Sequence, residues 1–191
     1  YEIRLSLVGS EMCIRDSKGV ACYQRQSDDF FIPTDEKGNN ILAYSTCLMK
    51  DGVLFGSQNK VYFYNYQNSS LRLLQTFNQE PNFNITLLSL WNAHTLLCCS
   101  RWQGLLLLDL NTGKHSPPPF DCGKEIMNML IDSQNRIWIA PYNEGIRCFT
   151  PDGKQLASYT THNSNLNNNV VLSLAEREGK IWIGTDGGGI N

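Results

Sequence analysis

Two stretches near the end of the chain repeat one phrase: "RIWIAPYNEGIRCF" (136–149) and "KIWIGTDGGGIN" (180–191). Both carry Ile-Trp-Ile, and in both a Gly-Ile pair follows, Gly145-Ile146 in one and Gly189-Ile190 in the other. A glycine between two β-runs supplies the positive φ of a hairpin turn. A phosphate-binding loop is disfavoured, because no lysine follows the glycines at the required spacing. The phrase therefore predicts two strands joined by a tight turn.

Looser copies of the phrase precede it, "VLFGSQNKVYFYN" (53–65) and "LLCCSRWQGLLLLDL" (96–110). The residues that follow the turn glycine, or the position equivalent to it, are Val61, Leu105, Ile146 and Ile190. They are spaced by 44, 41 and 44 residues. A period in the low forties, made only of strand-like runs, is typical of a β-propeller. The sequence thus predicts an all-β protein.

Each period divides into four strands separated by Asp, Asn, Gly and Pro, the pattern of antiparallel hairpins. We expect a partial β-propeller of four-stranded antiparallel blades forming an open arc, with three whole blades between two half-blades. The half-blades are residues 18–36 and 168–191, and the whole blades are 39–77, 83–120 and 123–160. The outer strand of the second blade, residues 114–120, contains three prolines and suits only a sheet edge.

Residues 1–17, "YEIRLSLVGSEMCIRDS", do not follow the repeat. They resemble the translated read-through of a sequencing adapter, and we interpret them as an artefact. The alternative is that they form a genuine inner pair of strands. They have neither a basic region nor a long apolar run, so they are not a signal peptide.

Composition excludes several classes of function. The net charge is −2 and the pI about 5.9, which gives no electrostatic reason to bind nucleic acid. No apolar run is long enough to span a membrane, so we expect no membrane contact by this segment. The cysteines and histidines show no metal-ligand spacing, and no catalytic motif occurs. We therefore expect no cofactor, no metal and no enzymatic activity in this chain.

The repeat separates structural residues from candidate binding residues. Residues that recur in register are interpreted as structural, the tryptophans as packing between sheets and the glycines as hinges: Trp138, Trp182, Gly104, Gly145 and Gly189. Residues that vary at a fixed turn position, between the second and third strands, are better candidates for binding a ligand. These candidates are Arg101, Trp102, Gln103, Tyr142, Asn143, Glu144 and Asp186.

The last two units resemble a known family of repeats. The stretches "LIDSQNRIWIAPYNEGIRCFTPDGKQLASYTTHNSNL" (130–166) and "NNNVVLSLAEREGKIWIGTDGGGIN" (167–191) are similar to two-component regulator propeller repeats. In those repeats Asn precedes an inner strand and "WIGT" leads to "GGG" or "EGI". The resemblance extends over about residues 18–191, although the first two blades match only in outline. Each tryptophan lacks a following Asp, which argues against WD40 repeats.

The resemblance implies a periplasmic, carbohydrate-sensing domain of a bacterial hybrid two-component system, which recognises oligosaccharides released from glycans. A histidine kinase would lie elsewhere in the parent protein. The implied partners are an oligosaccharide ligand and the remaining blades of the parent chain, and a homodimer is left open. Two alternatives are a scaffold for protein interaction or dimerisation, and a fragment of a secreted polysaccharide-active enzyme.

Overall fold

The computed structural model describes residues 6–8, 11–16, 19–24, 27–78 and 82–190, with side chains from Val20 onward except at Gln24. Every regular element in these ranges is a β-strand, which confirms the all-β prediction. None of the described residues forms a helix that could cross a membrane. The chain divides into two compact units, Tyr1–Leu88 and Ser89–Asn191.

The first unit contains two four-stranded antiparallel sheets. Sheet 1 consists of β1 (Ser6–Val8), β2 (Glu11–Asp16), β3 (Gly19–Gln24) and β4 (Asp29–Phe31). Sheet 2 consists of β5 (Ser45–Met49), β6 (Gly52–Gly56), β7 (Lys60–Asn65) and β8 (Ser70–Thr76). In both sheets neighbouring strands are consecutive in the chain. The core between them joins Val20 and Cys22 of β3 to Val53, Phe55 and Tyr64 of sheet 2.

The second unit holds most of sheet 3 and all of sheets 4 and 5. Sheet 3 consists of β9 (Leu87–Leu90), β10 (Thr95–Ser100), β11 (Gly104–Asp109) and β12 (His115–Ser116). Sheet 4 consists of β13 (Ile126–Ile131), β14 (Ile137–Pro141), β15 (Ile146–Phe149) and β16 (Gln155–Tyr159). Sheet 5 consists of β17 (Val171–Arg177), β18 (Lys180–Thr185) and β19 (Gly189–Ile190). These meandering antiparallel sheets are propeller blades, as the repeat predicted.

Sheet 1 differs from the half-blade expected at residues 18–36. Strand β2 pairs with β3 over its whole length, from Glu11 opposite Gln24 to Asp16 opposite Gly19, and β1 pairs with β2. Pairing satisfies the backbone groups on the inner edge of β3, which a half-blade would leave open. Part of the tract interpreted as an artefact thus forms strands, whereas residues 1–5, 9–10 and 17 lie outside the described residues. The origin of this tract stays a prediction.

The outer strand of sheet 3 is much shorter than the run 114–120 predicted for it. Only His115 and Ser116 pair with β11, and the chain leaves the sheet at Pro117. A proline nitrogen carries no hydrogen, so three successive prolines cannot extend the ladder. The freed segment becomes a loop of residues 117–125 that leads to β13.

Trp138 and Trp182 hold the same register in sheets 4 and 5 but differ in burial. Trp138 is 7% exposed and packs against sheet 5 through Ile181 and Ile183. Successive side chains of a strand alternate between faces, so Trp182 lies on the face of sheet 5 that is turned away from sheet 4. It is 47% exposed. No described residue covers that face, so the packing role of Trp182 stays a prediction.

Sheets 4 and 5 are fastened at both ends. At one end the Gly145 amide donates to the carbonyl of Asn169, just before β17. At the other end the amide and hydroxyl of Ser133 donate to the two carboxylate oxygens of Glu176 at 2.7 and 2.5 Å. These bonds fix the position of the turns of sheet 4 relative to the first strand of sheet 5.

Candidate functional site

In sheets 3, 4 and 5 the turns between second and third strands share one backbone feature, a glycine with positive φ. The φ angles are +86° at Gly104, +75° at Gly145 and +78° at Gly189. Side chains other than glycine rarely adopt this conformation. The three turns therefore present the residues before each glycine, which include all the candidate binding residues, at equivalent places.

The first of these turns holds an exposed tryptophan. Trp102 is 67% exposed, and the guanidinium carbon of Arg101 lies 4.9 Å from the centroid of its ring. Arg101 donates from Nε and NH2 to Oε1 of Glu125, at 3.3 and 3.2 Å. We call Glu125, Arg101 and Trp102 the exposed triad. The salt bridge fixes the arginine, and the arginine supports one face of the indole.

Tyr142 of the next turn is connected to the same glutamate. Its backbone amide donates to the carbonyl of Glu125 at 2.6 Å, and its side chain is 48% exposed. Ile126, the first residue of β13, donates its amide to the carbonyl of Arg101 at 3.0 Å. The segment 125–126 therefore joins the turn of sheet 3 to the turn of sheet 4, and brings two exposed aromatic residues to one end of the sheets.

The remaining residues of the sheet 4 turn form an ionic link to the loop 117–125. Asn143 has a φ of +58° and is exposed, so it shapes the turn. Glu144 forms an ion pair with Arg147. Arg147 also donates to the carbonyl of Asp121 at 3.3 Å, and its NH1 lies 3.7 Å from Oδ2 of that residue. Because Glu144 is paired with Arg147, its carboxylate is less available to a ligand than the side chain of Tyr142.

Asp186 stands apart from the other candidates. Its amide donates to the carbonyl of Val170, and its carbonyl accepts from the side-chain amide of Asn168 at 2.6 Å. These bonds connect it to the loop before β17. The contacts of the described residues do not join it to the exposed triad, so the structure groups Arg101, Trp102, Gln103 and Tyr142 but not Asp186.

A cavity of about 350 Å³ opens beside Trp102. Its walls come from the turn of sheet 3 and the loop 117–125. They comprise Trp102, Gln103, Gly104, Leu105, Pro117, Pro118, Phe120, Asp121, Cys122, Gly123 and Lys124. Gln103 accepts a hydrogen bond from the Ser100 hydroxyl through Oε1 at 2.9 Å. An aromatic wall with a few polar groups around it is the usual composition of a small-ligand site.

A second cluster repeats the chemistry of the exposed triad in a buried setting. Asp132, in the turn between β13 and β14, accepts from Arg136 Nε at 2.6 Å and from Trp138 Nε1 at 2.8 Å. The guanidinium of Arg136 lies 5.4 Å from the centroid of the Trp138 ring. We call Asp132, Arg136 and Trp138 the buried triad. The Asp132 side chain is fully buried.

The electrostatics of Asp132 favour the charged form. Burial is the largest influence and raises the pKa of this carboxyl group. The hydrogen bonds from Trp138 and Arg136, with the charge of Arg136, outweigh it and hold the pKa below its ordinary value. The buried triad is therefore an ionised and fully bonded structural cluster, in contrast to the solvent-facing group at Trp102.

No group of three or more His, Cys, Asp or Glu side chains in the described part of the chain could hold a metal ion. Cys98 and Cys99 are buried in β10, and burial raises the pKa of the Cys99 thiol. A thiol with a raised pKa is protonated at neutral pH and a poor nucleophile.

Reasoning from the sequence missed Glu125, Asp121, Lys124 and Phe120. Asp121 lies between the predicted blades 83–120 and 123–160, and the other three lie at their edges, where the repeat gives no turn register to compare. The signal that could have found them is the triple proline at 117–119, since it cannot pair and must form a loop beside the sheet 3 turn.

Comparisons with known proteins agree with this architecture. Residues 165–187 match the family model described as "Two component regulator propeller". No curated protein is detectably similar to the chain in sequence.

Solved structures match over almost the whole chain, at identities that show the fold alone. The extracellular domain of a putative hybrid two-component system from B. thetaiotaomicron is 21% identical, with a TM-score of 0.74 over 99% of this chain and 26% of that one. A second such domain from the same organism is 17% identical, with a TM-score of 0.68 over 96% of this chain and 25% of that one. The Cps50 (Swd1) β-propeller domain of Myceliophteria thermophila is 11% identical, with a TM-score of 0.71 over 96% of this chain and 60% of that one.

This chain thus spans about a quarter of the length of the two bacterial domains. Its sheets are β-propeller blades, and within them residues 165–187 are similar to a two-component regulator propeller repeat.

Proposed function

We propose that this chain is a ligand-sensing segment of a bacterial hybrid two-component system, located in the periplasm, and that it recognises glycan-derived oligosaccharides. The structural relatives among extracellular domains of two-component systems support the sensory role. The exposed triad carries the proposal for the ligand class. The chain itself performs no catalytic step in this proposal, and the signal passes to a kinase elsewhere in the parent protein.

The argument for a sugar ligand rests on Trp102 and Tyr142. Large aromatic side chains in a soluble protein are usually buried, yet these two are 67% and 48% exposed. Trp102 is held in place by Arg101, which Glu125 fixes in turn. An oriented indole offers a flat apolar surface to the apolar face of a sugar ring without an ordering cost on binding. Neighbouring polar groups such as Gln103 can then bond the sugar hydroxyls.

The test is an isothermal calorimetric titration of the chain with each member of a panel of oligosaccharides. We expect Trp102→Ala to weaken binding by about tenfold or more, since stacking on a large aromatic ring is lost. Trp182→Ala is the matched control, because Trp182 is also exposed but lies on the open face of sheet 5. It should bind as the unaltered chain does. Absence of binding to every oligosaccharide, or equal affinity after Trp102→Ala, would contradict the proposal and favour a scaffold role.

A further inference from the structure

We infer that the cavity beside Trp102 holds one uncharged sugar residue. One face of the sugar lies against the indole, one hydroxyl group donates to Asp121, and the neighbouring hydroxyl accepts from Lys124. This inference rests on the proposed function and narrows its ligand class to neutral sugars. A cavity of about 350 Å³ lies at the low end of the range for small-molecule sites, roughly 300–1,000 Å³. It therefore accommodates one end of an oligosaccharide rather than a long segment.

The wall of the cavity that the loop 117–125 forms is firmly supported. The Phe120 ring stacks on that of Phe149, with centroids 4.5 Å apart and planes inclined by 18°. Phe149 is 2% exposed, so its partner is anchored in the core of sheet 4. Pro119 lies close to Gly153, where a Cβ atom would come within 2.7 Å of the proline carbonyl oxygen. The loop 117–125 is thus held against sheet 4 and keeps the cavity open without a ligand.

The carboxylate of Asp121 is positioned to accept hydrogen bonds from hydroxyl groups. Its Oδ1 accepts from the Gly123 amide at 3.0 Å, and its Oδ2 lies 3.7 Å from Arg147 NH1. The side chain is nevertheless 89% exposed. A carboxylate offers about four lone-pair positions, so those two contacts orient the group and leave capacity for a ligand. Hydrogen bonds to an ionised acceptor are stronger than those between neutral groups.

Lys124 supplies the complementary donors. Among the described residues its ammonium group forms no ion pair or hydrogen bond, and it lines the same cavity. An ammonium group donates three hydrogen bonds and accepts none, whereas a carboxylate only accepts. Neighbouring hydroxyls of a sugar both donate and accept, so one can donate to Asp121 while the next accepts from Lys124.

The charges around the cavity argue against an acidic sugar. Arg101 is balanced by Glu125, and Arg147 by Glu144. Asp121 and Lys124 then remain as one negative and one positive group, so the six charges sum to zero. A ligand carboxylate placed between them would be attracted by Lys124 but repelled by Asp121. A neutral hydroxylated ring uses both groups at no electrostatic cost.

The experiment compares matched ligands on the full chain. The probes are di- and trisaccharides of glucose, galactose and mannose, and the same saccharides with the terminal primary alcohol oxidised to a carboxylate. Calorimetric titration should show that the neutral form binds about three- to fivefold more tightly, the size expected for an exposed charge pair. Asp121→Asn should reverse this order, because it weakens the bond to the hydroxyl and removes the repulsion of the acid.

Two further variants make the result decisive. Lys124→Met should weaken both ligands, and the acidic one more. Asp51→Asn, an equal change at an exposed carboxylate in the turn between β5 and β6, should alter neither affinity. Tighter binding of the acidic form to the unaltered chain would overturn the inference, and so would unchanged affinities in Asp121→Asn. In either case, saccharide binding that is lost in Trp102→Ala would still support the proposed function. If no saccharide binds at all, the proposed function fails and the inference with it.

Discussion

The exposed and buried triads contain the same three kinds of group in two environments. In each, an acidic side chain holds an arginine, and that arginine lies over a tryptophan ring, at 4.9 Å in Arg101–Trp102 and 5.4 Å in Arg136–Trp138. Trp138 is 7% exposed and Trp102 is 67% exposed. The comparison indicates that burial, and not residue type, decides whether such a cluster packs inside the fold or stays open to solvent.

The largest expected difference is between the two tryptophans. Trp138→Ala removes a buried side chain that packs between sheets 4 and 5, so the free energy of unfolding should fall by about 3–5 kcal/mol. Trp102→Ala should change it by no more than about 0.5 kcal/mol, as is usual for surface substitutions. Urea unfolding of both variants measures the difference. Similar losses in the two variants would remove the distinction between the triads.

Removal of the acidic side chain should likewise cost more stability in the buried triad than in the exposed triad. Asp132→Ala leaves the indole N–H of Trp138 without its acceptor and Arg136 without its partner, which should cost about 2–4 kcal/mol. Glu125→Ala breaks a partly exposed salt bridge and should cost at most about 1 kcal/mol. The same urea titration applies. A larger cost at Glu125 than at Asp132 would mean that the exposed cluster is the structural one.

The turn glycines permit a finer comparison between sheets 3 and 4. Gly145→Ala meets both the positive φ and a clash, since the new Cβ would lie 2.1 Å from the Tyr159 carbonyl oxygen. Gly104→Ala meets only the φ penalty of about 1–2 kcal/mol, because no atom lies within 4 Å of its Cβ position. Thermal unfolding should therefore show a lower Tm for Gly145→Ala. Equal melting temperatures would show that β16 moves away freely.

The smallest effect concerns acid stability. The pKa of Asp132 is lowered in the folded state, so its contribution is present above the unfolded value of about 3.9 and is lost as pH falls through the folded pKa. Asp132→Asn should consequently show a shallower loss of stability below about pH 4 than the unaltered chain. Urea unfolding at a series of pH values measures this difference, and parallel profiles for the variant and the unaltered chain would contradict it.

The recurrence of Gly145-Ile146 and Gly189-Ile190 made the strand order predictable, because a repeated turn places strands on both sides of it. The same recurrence could not give the burial of Trp182, since equal register shows which face a side chain occupies but not whether another sheet covers that face. The turn residues Arg101, Trp102 and Tyr142 could be proposed as a site from their variation alone. Their connection through Glu125 could not, because it joins residues from separate repeats by backbone and side-chain contacts.

The half-blade prediction at residues 18–36 illustrates a different limit. The sequence of β1 and β2 does not resemble the other inner strands, and so the repeat could not include it. An antiparallel ladder depends mainly on backbone hydrogen bonds, which almost any extended segment can supply. Pairing of Glu11–Asp16 with β3 therefore needs no match to the repeat.

Hydrogen exchange at two backbone amides would report on the hydrogen bonds between sheets 4 and 5. The Ser133 amide donates to Glu176 and the Gly145 amide to Asn169, so neither belongs to the ladder of its own sheet. Each amide hydrogen exchanges with deuterium only when its bond to the neighbouring sheet opens. Their isotope exchange rates would thus record the opening of each end independently, and a ligand bound near Tyr142 would slow exchange at Gly145 before it affects Ser133.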